Sequence, residues 1–464
     1  MKIKKLITGV ALAWTLIGSL VAEAANIVSV PSTEIESVYN QAVQSNEVEG
    51  WTAGPQIYSE SGIVMDMDSG AILYAKNIHD QHYPASITKV LTALVALENN
   101  ELTDTVQFSQ EDIDILYSDY AHIGMKVGEE ISMEDALYAV LLASANEVSH
   151  AVGSNTEGGY DNFIRLMNEK TKALGGLNSN FVNTNGMHDE EHYTTVYDMA
   201  LISAAAFQNE TFRKITSTKQ YTIEATNLTE ETRTFQQNHK MLRKNDSRYY
   251  EYCVGGKTGY TDAALTTLVT YATKDDVNLV SVVMRTHGGG NNAYVDTRAM
   301  LNYGFENFTK VPVTIDMLGS EKYESVASDS YVMLPSGISF EQLECETKMP
   351  TELGNWTSEF IYTYEGQTVG IVEAVMTEDA YNELFGVEVK ETKKEEKTEK
   401  KSDFGIGGII LKTLLILLGI VLLAFVGLIG YALYQKKQRE KRRRARRRRR
   451  RRELERRKRL KELE

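Results

Sequence analysis

The 464-residue sequence predicts an α+β fold, with an antiparallel sheet plus a helical cluster, followed by a small all-β domain and a C-terminal transmembrane helix. Three observations predict it. Strand-like runs open and close residues 51–309, while helical periodicity fills the middle of that segment. From 310 to 386 the pattern changes to short strands separated by Gly and Asn turns. Residues 414–434 form an uncharged apolar run of the roughly 20 residues a helix needs to cross a bilayer, and the apolar stretch begins around Ile409, so the transmembrane helix is expected over 409–434.

The elements follow in order. Lys2, Lys4 and Lys5 precede an apolar run over 6–21 and then Ala22-Glu23-Ala24, a small-x-small triplet, so residues 1–24 read as a signal peptide. Residues 63–74 read as two strands around the turn Asp68-Ser69-Gly70. Pro84-Ala85-Ser86 is followed by Val90, Leu91, Leu94, Val95 and Leu97 at helical spacing, which puts Ser86 at a helix start. A further helix is expected over 132–152, with Ser132 as its cap and Asp135 in its first turn, and others over 163–174 and 195–207. Thr195 with Asp198 reads as a cap. Two β-branched runs, 265–273 and 278–285, flank Lys274-Asp275-Asp276 as a second hairpin, and 298–305 reads as the end of a closing helix. The sheet is therefore drawn from both ends of the segment.

Charge divides the chain. Residues 436–464 hold 19 Lys and Arg against 5 Asp and Glu, a local +14, so with a total of −14 residues 1–435 carry −28. A basic tail over 435–464, next to a span, stays on the cytoplasmic side, which makes this a single-pass protein of the cell membrane whose folded part lies outside. Anionic lipid headgroups are the expected partner of the tail, and nucleic acid is not expected. Residues 387–403 mix Lys and Glu with little apolar content and read as a charged linker. Cys253 and Cys345 fall in different expected domains and read as two separate buried thiols, with no metal-ligand spacing.

Three short motifs carry the chemistry, namely Ser86-Ile87-Thr88-Lys89, Ser144-Ala145-Asn146 and Lys257-Thr258-Gly259. Residues i and i+3 share a helix face, so Lys89 stands beside Ser86. A serine hydroxyl is a weak nucleophile until a neighbouring base takes its proton. Lys89 serves as that base only when neutral, which requires burial or a nearby positive charge such as Lys257. Ser86 at a helix N-terminus also presents its backbone N–H to an oxyanion. Ser144 can relay a proton and Asn146 can orient the lysine and substrate. Lys257 and Thr258 can bind a carboxylate, with Gly259 allowing close approach of a substrate backbone. Taken singly, these motifs are an N-cap, a polar helix end and an edge-strand lysine; their conjunction makes them a site. His188 and His192, four apart with acids between, lie in a turn-like segment with no third ligand and are not read as a metal site.

With these motifs, the chain resembles the D-alanyl-D-alanine carboxypeptidase family of low-molecular-mass penicillin-binding proteins. Asn183-Thr184-Asn185-Gly186-Met187, His192-Tyr193-Thr194-Thr195, Asp198-Met199-Ala200 and Asn302-Tyr303-Gly304-Phe305 extend the resemblance over 51–309. It implies a penicillin-binding/β-lactamase-like catalytic domain, with Ser86 as acylated nucleophile and Lys89 as base. Ser144 and Asn146 would relay protons and position groups, Lys257 and Thr258 would hold the substrate carboxylate, and the Tyr260 backbone N–H would be the second oxyanion donor. The implied substrate is the peptidoglycan stem peptide, with β-lactams as inhibitors and no cofactor. Ala145 and Glu147 stand where the family often has Gly and Asp, and an arginine expected before the closing helix is replaced near Ala293, beside a Gly288-Gly289-Gly290 loop. A D,D-endopeptidase would use the same residues. A β-lactamase would need a deacylating base, and no Glu-x-x-Leu-Asn segment lies between the second and third motifs. A non-catalytic cell-wall scaffold acting through the basic tail is the remaining alternative.

Overall fold

The computed structural model describes residues 32–116 and 120–386. The expected signal peptide, linker, transmembrane helix and basic tail lie outside the described residues, among which no helix is long and apolar enough to cross a membrane.

Five antiparallel strands form the central sheet, in the order Ile72–Lys76, Ser59–Asp66, Val277–Thr286, Leu265–Lys274 and Cys253–Thr261. The two early strands meet the three late ones where Ser59–Asp66 pairs with Val277–Thr286, setting Val64 opposite Ser281. The central strands are nearly continuous apolar runs because helices cover both faces. Side chains alternate across a strand. Ile63 and Met65 accordingly join one buried cluster with Met199 and Ile202 of the Val196–Gln208 helix. Val64, Leu279 and Val283 join another with Met300 and Leu301 of the Gly290–Asn307 helix.

Within the helical cluster, the Lys89–Asn99 helix is buried along its whole first eight residues, Lys89 included. It follows a short 3-10 turn, Ala85–Thr88, so Ser86 sits one turn ahead of the α-helix proper. The expected helix over 132–152 is broken into Met133–Tyr138, a wider turn Ala139–Ala143, and Asn146–Asn155. The break is Ser144, whose φ of 62° is left-handed, a conformation costing about 1–3 kcal/mol for a non-glycine residue. Apolar periodicity continues through the break because every piece packs on the same core, so sequence shows one helix where the backbone makes two. The third motif likewise lies inside the Cys253–Thr261 strand, at the sheet edge, rather than just before a strand.

A buried lysine secures the chain's start. Lys76 donates to the carbonyls of Val38, Ile57 and Ser59 at 2.8, 3.2 and 3.0 Å, tying the end of the Ser32–Tyr39 helix to the sheet. After residue 310 a second antiparallel sheet runs Tyr323–Val326, Gln367–Met376, Thr357–Tyr364 and Glu344–Lys348. It is followed by a helix, Glu378–Phe385, capped by Thr377, which the all-strand reading of this segment missed. Cys253 is buried but Cys345 is exposed, and both are free thiols, which corrects the expectation of two buried ones.

Candidate active site

The three motifs converge from a helix start, a helix break and a sheet edge. Lys89 Nζ lies 3.1 Å from Ser86 Oγ, 2.7 Å from Asn146 Oδ1 and 2.6 Å from the Asn185 carbonyl. Lys257 Nζ lies 2.9 Å from Ser144 Oγ and 2.8 Å from the Thr258 carbonyl. Two serine–lysine pairs therefore share one site.

Both amines are removed from water. Lys89 is fully buried, and burial first, then the charge on Lys257, holds its pKa well below the ordinary lysine value, against a smaller opposing pull from Glu147. Burial pushes Lys257 down to about 7. A neutral amine has two N–H groups and one lone pair. At Lys89 the two carbonyl-type oxygens of Asn146 and Asn185 can only accept, so they take both N–H groups, and the lone pair is left for the Ser86 O–H. That is the arrangement a general base needs.

Asn185 belongs to a loop that sequence reasoning quoted without giving it a role. Its carbonyl is aimed by a turn in which Gly186 N–H donates to Asn183 Oδ1 at 2.7 Å and Met187 N–H to Asn185 Oδ1 at 3.0 Å. Gly186 has φ +82°, and a Cβ there would sit 1.8 Å from the Ala85 carbonyl oxygen, so this loop can press against the Ser86 turn only as glycine. His192 supports the same turn from below. Burial lowers its pKa to about 4, keeping it neutral. Its Nδ1 accepts from the Val182 N–H at 3.1 Å, which leaves Nε2–H to donate to Thr88 Oγ1 at 2.9 Å. Among the described residues no cluster of His, Cys, Asp or Glu suits a metal ion, and His192 is a structural hydrogen bonder.

Gly259 passes beside Ser86. A Cβ there would lie 2.3 Å from Thr267 Oγ1 and 2.9 Å from the Ser86 backbone nitrogen, so the strand backbone and the Ser86 amide are in direct contact. The Thr258-Gly259-Tyr260 stretch and Ser86 then line a cleft of about 630 Å³, together with Ser144 and Ala121. Glu147, one of the departures noted in the sequence, is fully buried, and its Oε1 accepts from the Ile123 N–H at 2.7 Å while the Asn146 N–H donates to the Ala121 carbonyl at 2.9 Å. The start of the Asn146–Asn155 helix thus holds the Ala121 wall of the cleft.

All eight sequence-derived residues, Ser86, Lys89, Ser144, Asn146, Lys257, Thr258, Gly259 and Tyr260, gather here, but not all face the opening. Lys89, Asn146 and Lys257 lie behind the surface formed by Ser86, Ser144, Thr258, Gly259 and Tyr260. The far wall, made by Asn238, Lys240, Arg248, Asn291 and Tyr294, was not anticipated. The available signal was the basic run of Lys240, Arg243, Lys244 and Arg248 in an otherwise acidic region.

Comparison with known proteins agrees with this geometry. Residues 48–288 match the model of the D-alanyl-D-alanine carboxypeptidase family. The carboxypeptidase DacF of Bacillus subtilis (strain 168) is 30% identical over 265 residues, covering 55% of this chain and 64% of the relative. DacA of Haemophilus influenzae is 30% identical over 277 residues, covering 58% of this chain and 67% of the relative. The chain thus spans about two thirds of the length of these relatives. The crystal structure of the Streptomyces K15 DD-transpeptidase superposes with a TM-score of 0.51 at 26% identity, over 55% of this chain and 99% of that one. With two buried lysines each held against a serine, and with the family model covering more than half its length, the chain belongs to the D-alanyl-D-alanine carboxypeptidase family.

Proposed function

We propose that the protein is a serine D,D-carboxypeptidase that removes the terminal D-alanine from peptidoglycan stem peptides through an acyl-enzyme. The single observation that carries this reading is Lys89, fully buried 3.1 Å from Ser86 Oγ with its N–H groups engaged elsewhere. In the first step Lys89 takes the Ser86 proton as Oγ attacks the penultimate carbonyl. The Ser86 N–H and the Tyr260 N–H face the developing oxyanion. Ser144, hydrogen-bonded to Lys257, delivers a proton to the leaving nitrogen and is resupplied with the proton that Lys89 took from Ser86, so D-alanine departs as Lys89 becomes neutral again. In the second step water attacks the ester and loses its proton to Lys89, which hands it to Ser86 Oγ as the ester bond breaks, and the shortened peptide is released. β-Lactams acylate Ser86 by the same first step. The folded part acts outside the cytoplasmic membrane, held there by residues 409–434, with the basic tail inside on anionic headgroups; the support is the apolar run and the +14 tail.

The test is the intact mass of the purified protein after penicillin treatment, together with D-alanine release from a stem pentapeptide, for wild type and Ser86→Ala. A Ser86-dependent adduct with D-alanine release is expected. An adduct without release would move the activity to cross-linked peptides, as in an endopeptidase, or to acyl transfer onto an amine. Absence of an adduct would end the hydrolase reading.

A further inference from the structure

We infer that a second cavity, at the sheet edge opposite the cleft and walled in part by Asp198, is a binding site for a primary alkylammonium group. The inference does not depend on the carboxypeptidase reading and concerns a different face of the molecule.

This cavity, of about 470 Å³, lies among the strand Ile72–Lys76, the start of the helix Val196–Gln208, the loop over 175–178 and the hairpin end over 366–368. The sheet order places Ile72–Lys76 at one edge and Cys253–Thr261, which carries the third motif, at the other. Four strand spacings, roughly 19 Å, separate the two edges. None of the eight active-site residues lines this cavity. Its hairpin wall is fixed in place. Glu365 and Gly366, both at positive φ, make the tight turn between Thr357–Tyr364 and Gln367–Met376. Ile371 N–H then donates to the Ser69 carbonyl at 2.7 Å, and Gln367 Nε2 donates to the Ile72 carbonyl at 3.3 Å, which leaves the Gln367 Oε1 as an acceptor.

Asp198 is fully buried and only half used. Its N–H is capped by Thr195 Oγ1, and its Oδ2 accepts from the Asn178 N–H at 2.9 Å and from the Ser179 hydroxyl at 2.7 Å. Its Oδ1, equally buried, has no partner. A reciprocal cap does not account for this. In the Ser109–Asp112 box, Asp112 Oδ2 returns a bond to the Ser109 N–H at 2.7 Å, whereas Asp198 returns none to Thr195. A buried carboxylate oxygen without a donor is costly, so Asp198 Oδ1 marks a place where a ligand gains most by bringing one. Its charge is felt by the neighbouring wall, since burial first and then Asp198 raise the Tyr197 pKa.

The other lining groups select the donor. No Lys, Arg or Glu lines the cavity, so the carboxylate meets no counter-ion there. A metal ion would need more oxygen or nitrogen ligands than one carboxylate oxygen supplies, and a guanidinium fork would need both oxygens, of which Oδ2 is taken. An ammonium needs one strong acceptor, weaker ones for its remaining N–H groups, and gains from an aromatic wall. Gln367 and the rings of Tyr197 and His79, 5.1 Å apart, supply these. Leu177, lining the cavity and 74% exposed, offers apolar surface to the alkyl stem. Such a group is carried by a lysine-type side chain of a peptide or by a free diamine.

The full-length chain is titrated by calorimetry with 1,5-diaminopentane and with Nα-acetyl-lysine N-methylamide, with 1-pentanol as the uncharged control. Saturable one-site binding of at least one amine is expected, with none of pentanol. Tighter binding of the lysine derivative identifies a peptide as the source, and the reverse a free amine. Asp198→Asn keeps an oxygen for Asn178 and Ser179 but turns an amide N–H₂ to the cavity, and is expected to weaken binding at least tenfold. Leu177→Lys, at an exposed position, places a competing ammonium at the cavity and is expected to weaken it at least fivefold; it carries the test if the melting temperature shows Asp198→Asn to be unfolded. Acylation of the chain by penicillin should leave the affinity within twofold. Absence of saturable amine binding, an affinity within twofold of wild type in the folded variants, or loss of binding on acylation overturns the inference, the last by placing the amine in the cleft.

Discussion

The two serine–lysine pairs look alike at the level of distances and differ in how they are made. Lys89 and Ser86 are three residues apart on one turn of backbone, and their 3.1 Å contact follows from helical geometry. Lys257 and Ser144 are 113 residues apart, and their 2.9 Å contact exists only because an edge strand is packed against a broken helix. The local pair is reachable from any fold that starts a helix at Ser86. The distant pair requires the whole domain, and its serine must be held in a left-handed conformation to point the right way. Electrostatics joins the two pairs, since the charge on Lys257 is the second cause, after burial, of the lowered Lys89 pKa.

The largest expected effect breaks the local pair. Lys89→Ala should slow Ser86 acylation by penicillin on the order of 10³ to 10⁴-fold, the upper range for loss of a general base, measured as adduct formation against time. A fall of less than tenfold would give the base role to another group.

Breaking the distant pair should cost less and reveal the coupling. Ser144→Ala and Lys257→Ala are expected to lower kcat on the order of 10²-fold. Lys257→Ala should in addition move the acid limb of the pH profile for kcat/KM upward, because removing a neighbouring positive charge lets Lys89 keep its proton to higher pH. An unmoved limb would mean that the two pairs work independently.

A smaller effect tests the backbone that presents the local pair. Gly186→Ala forces a Cβ to 1.8 Å from the Ala85 carbonyl at a φ of +82°, so a loss of roughly 3 kcal/mol is expected, read as a lower denaturant midpoint. Gly259→Ala, whose Cβ would meet Thr267 Oγ1 at 2.3 Å and the Ser86 nitrogen at 2.9 Å, should lose about 1–3 kcal/mol and acylate more slowly. Full stability in Gly186→Ala would show that the loop carrying Asn185 yields.

The gentlest probe is pH. An unfolded lysine titrates near 10.5 and folded Lys257 near 7, so between those values the unfolded chain binds the extra proton and stability rises with pH. The slope contributed by this group is at most about 1.4 kcal/mol per pH unit, and below pH 7 the penalty is present in full. Unfolding of Lys257→Met should therefore show a shallower rise from pH 7 to 9 than wild type. Equal slopes would mean that Lys257 is charged in the folded state throughout.

Much of this architecture was legible beforehand, for definite reasons. The Asp68-Ser69-Gly70 and Lys274-Asp275-Asp276 turns separate strands whose β-branched residues permit little else, and the structure pairs those strands as read. Thr195 accepts from the Asp198 N–H at 3.0 Å, as the cap pattern implies. The misreadings share a cause. Ser144 interrupts a helix without interrupting its apolar pattern, because burial follows the core and not the backbone hydrogen bonds. Arg248 and Tyr294 are 46 positions apart and show no common period, yet they make one wall.

The sequence by itself determined that Lys89 stands beside Ser86, because a spacing of three on a helix is a distance, and it determined a charge boundary between an acidic bulk and a tail of +14. Only the tertiary structure decided that Lys257 turns to Ser144 instead of opening on the cleft, that the Asn185 carbonyl takes an N–H of Lys89, and that Lys240 and Arg248 form the opposing wall. The physical reason is that a lysine's protonation and reach depend on what buries it and what charges surround it, and those neighbours come from segments tens to more than a hundred residues away.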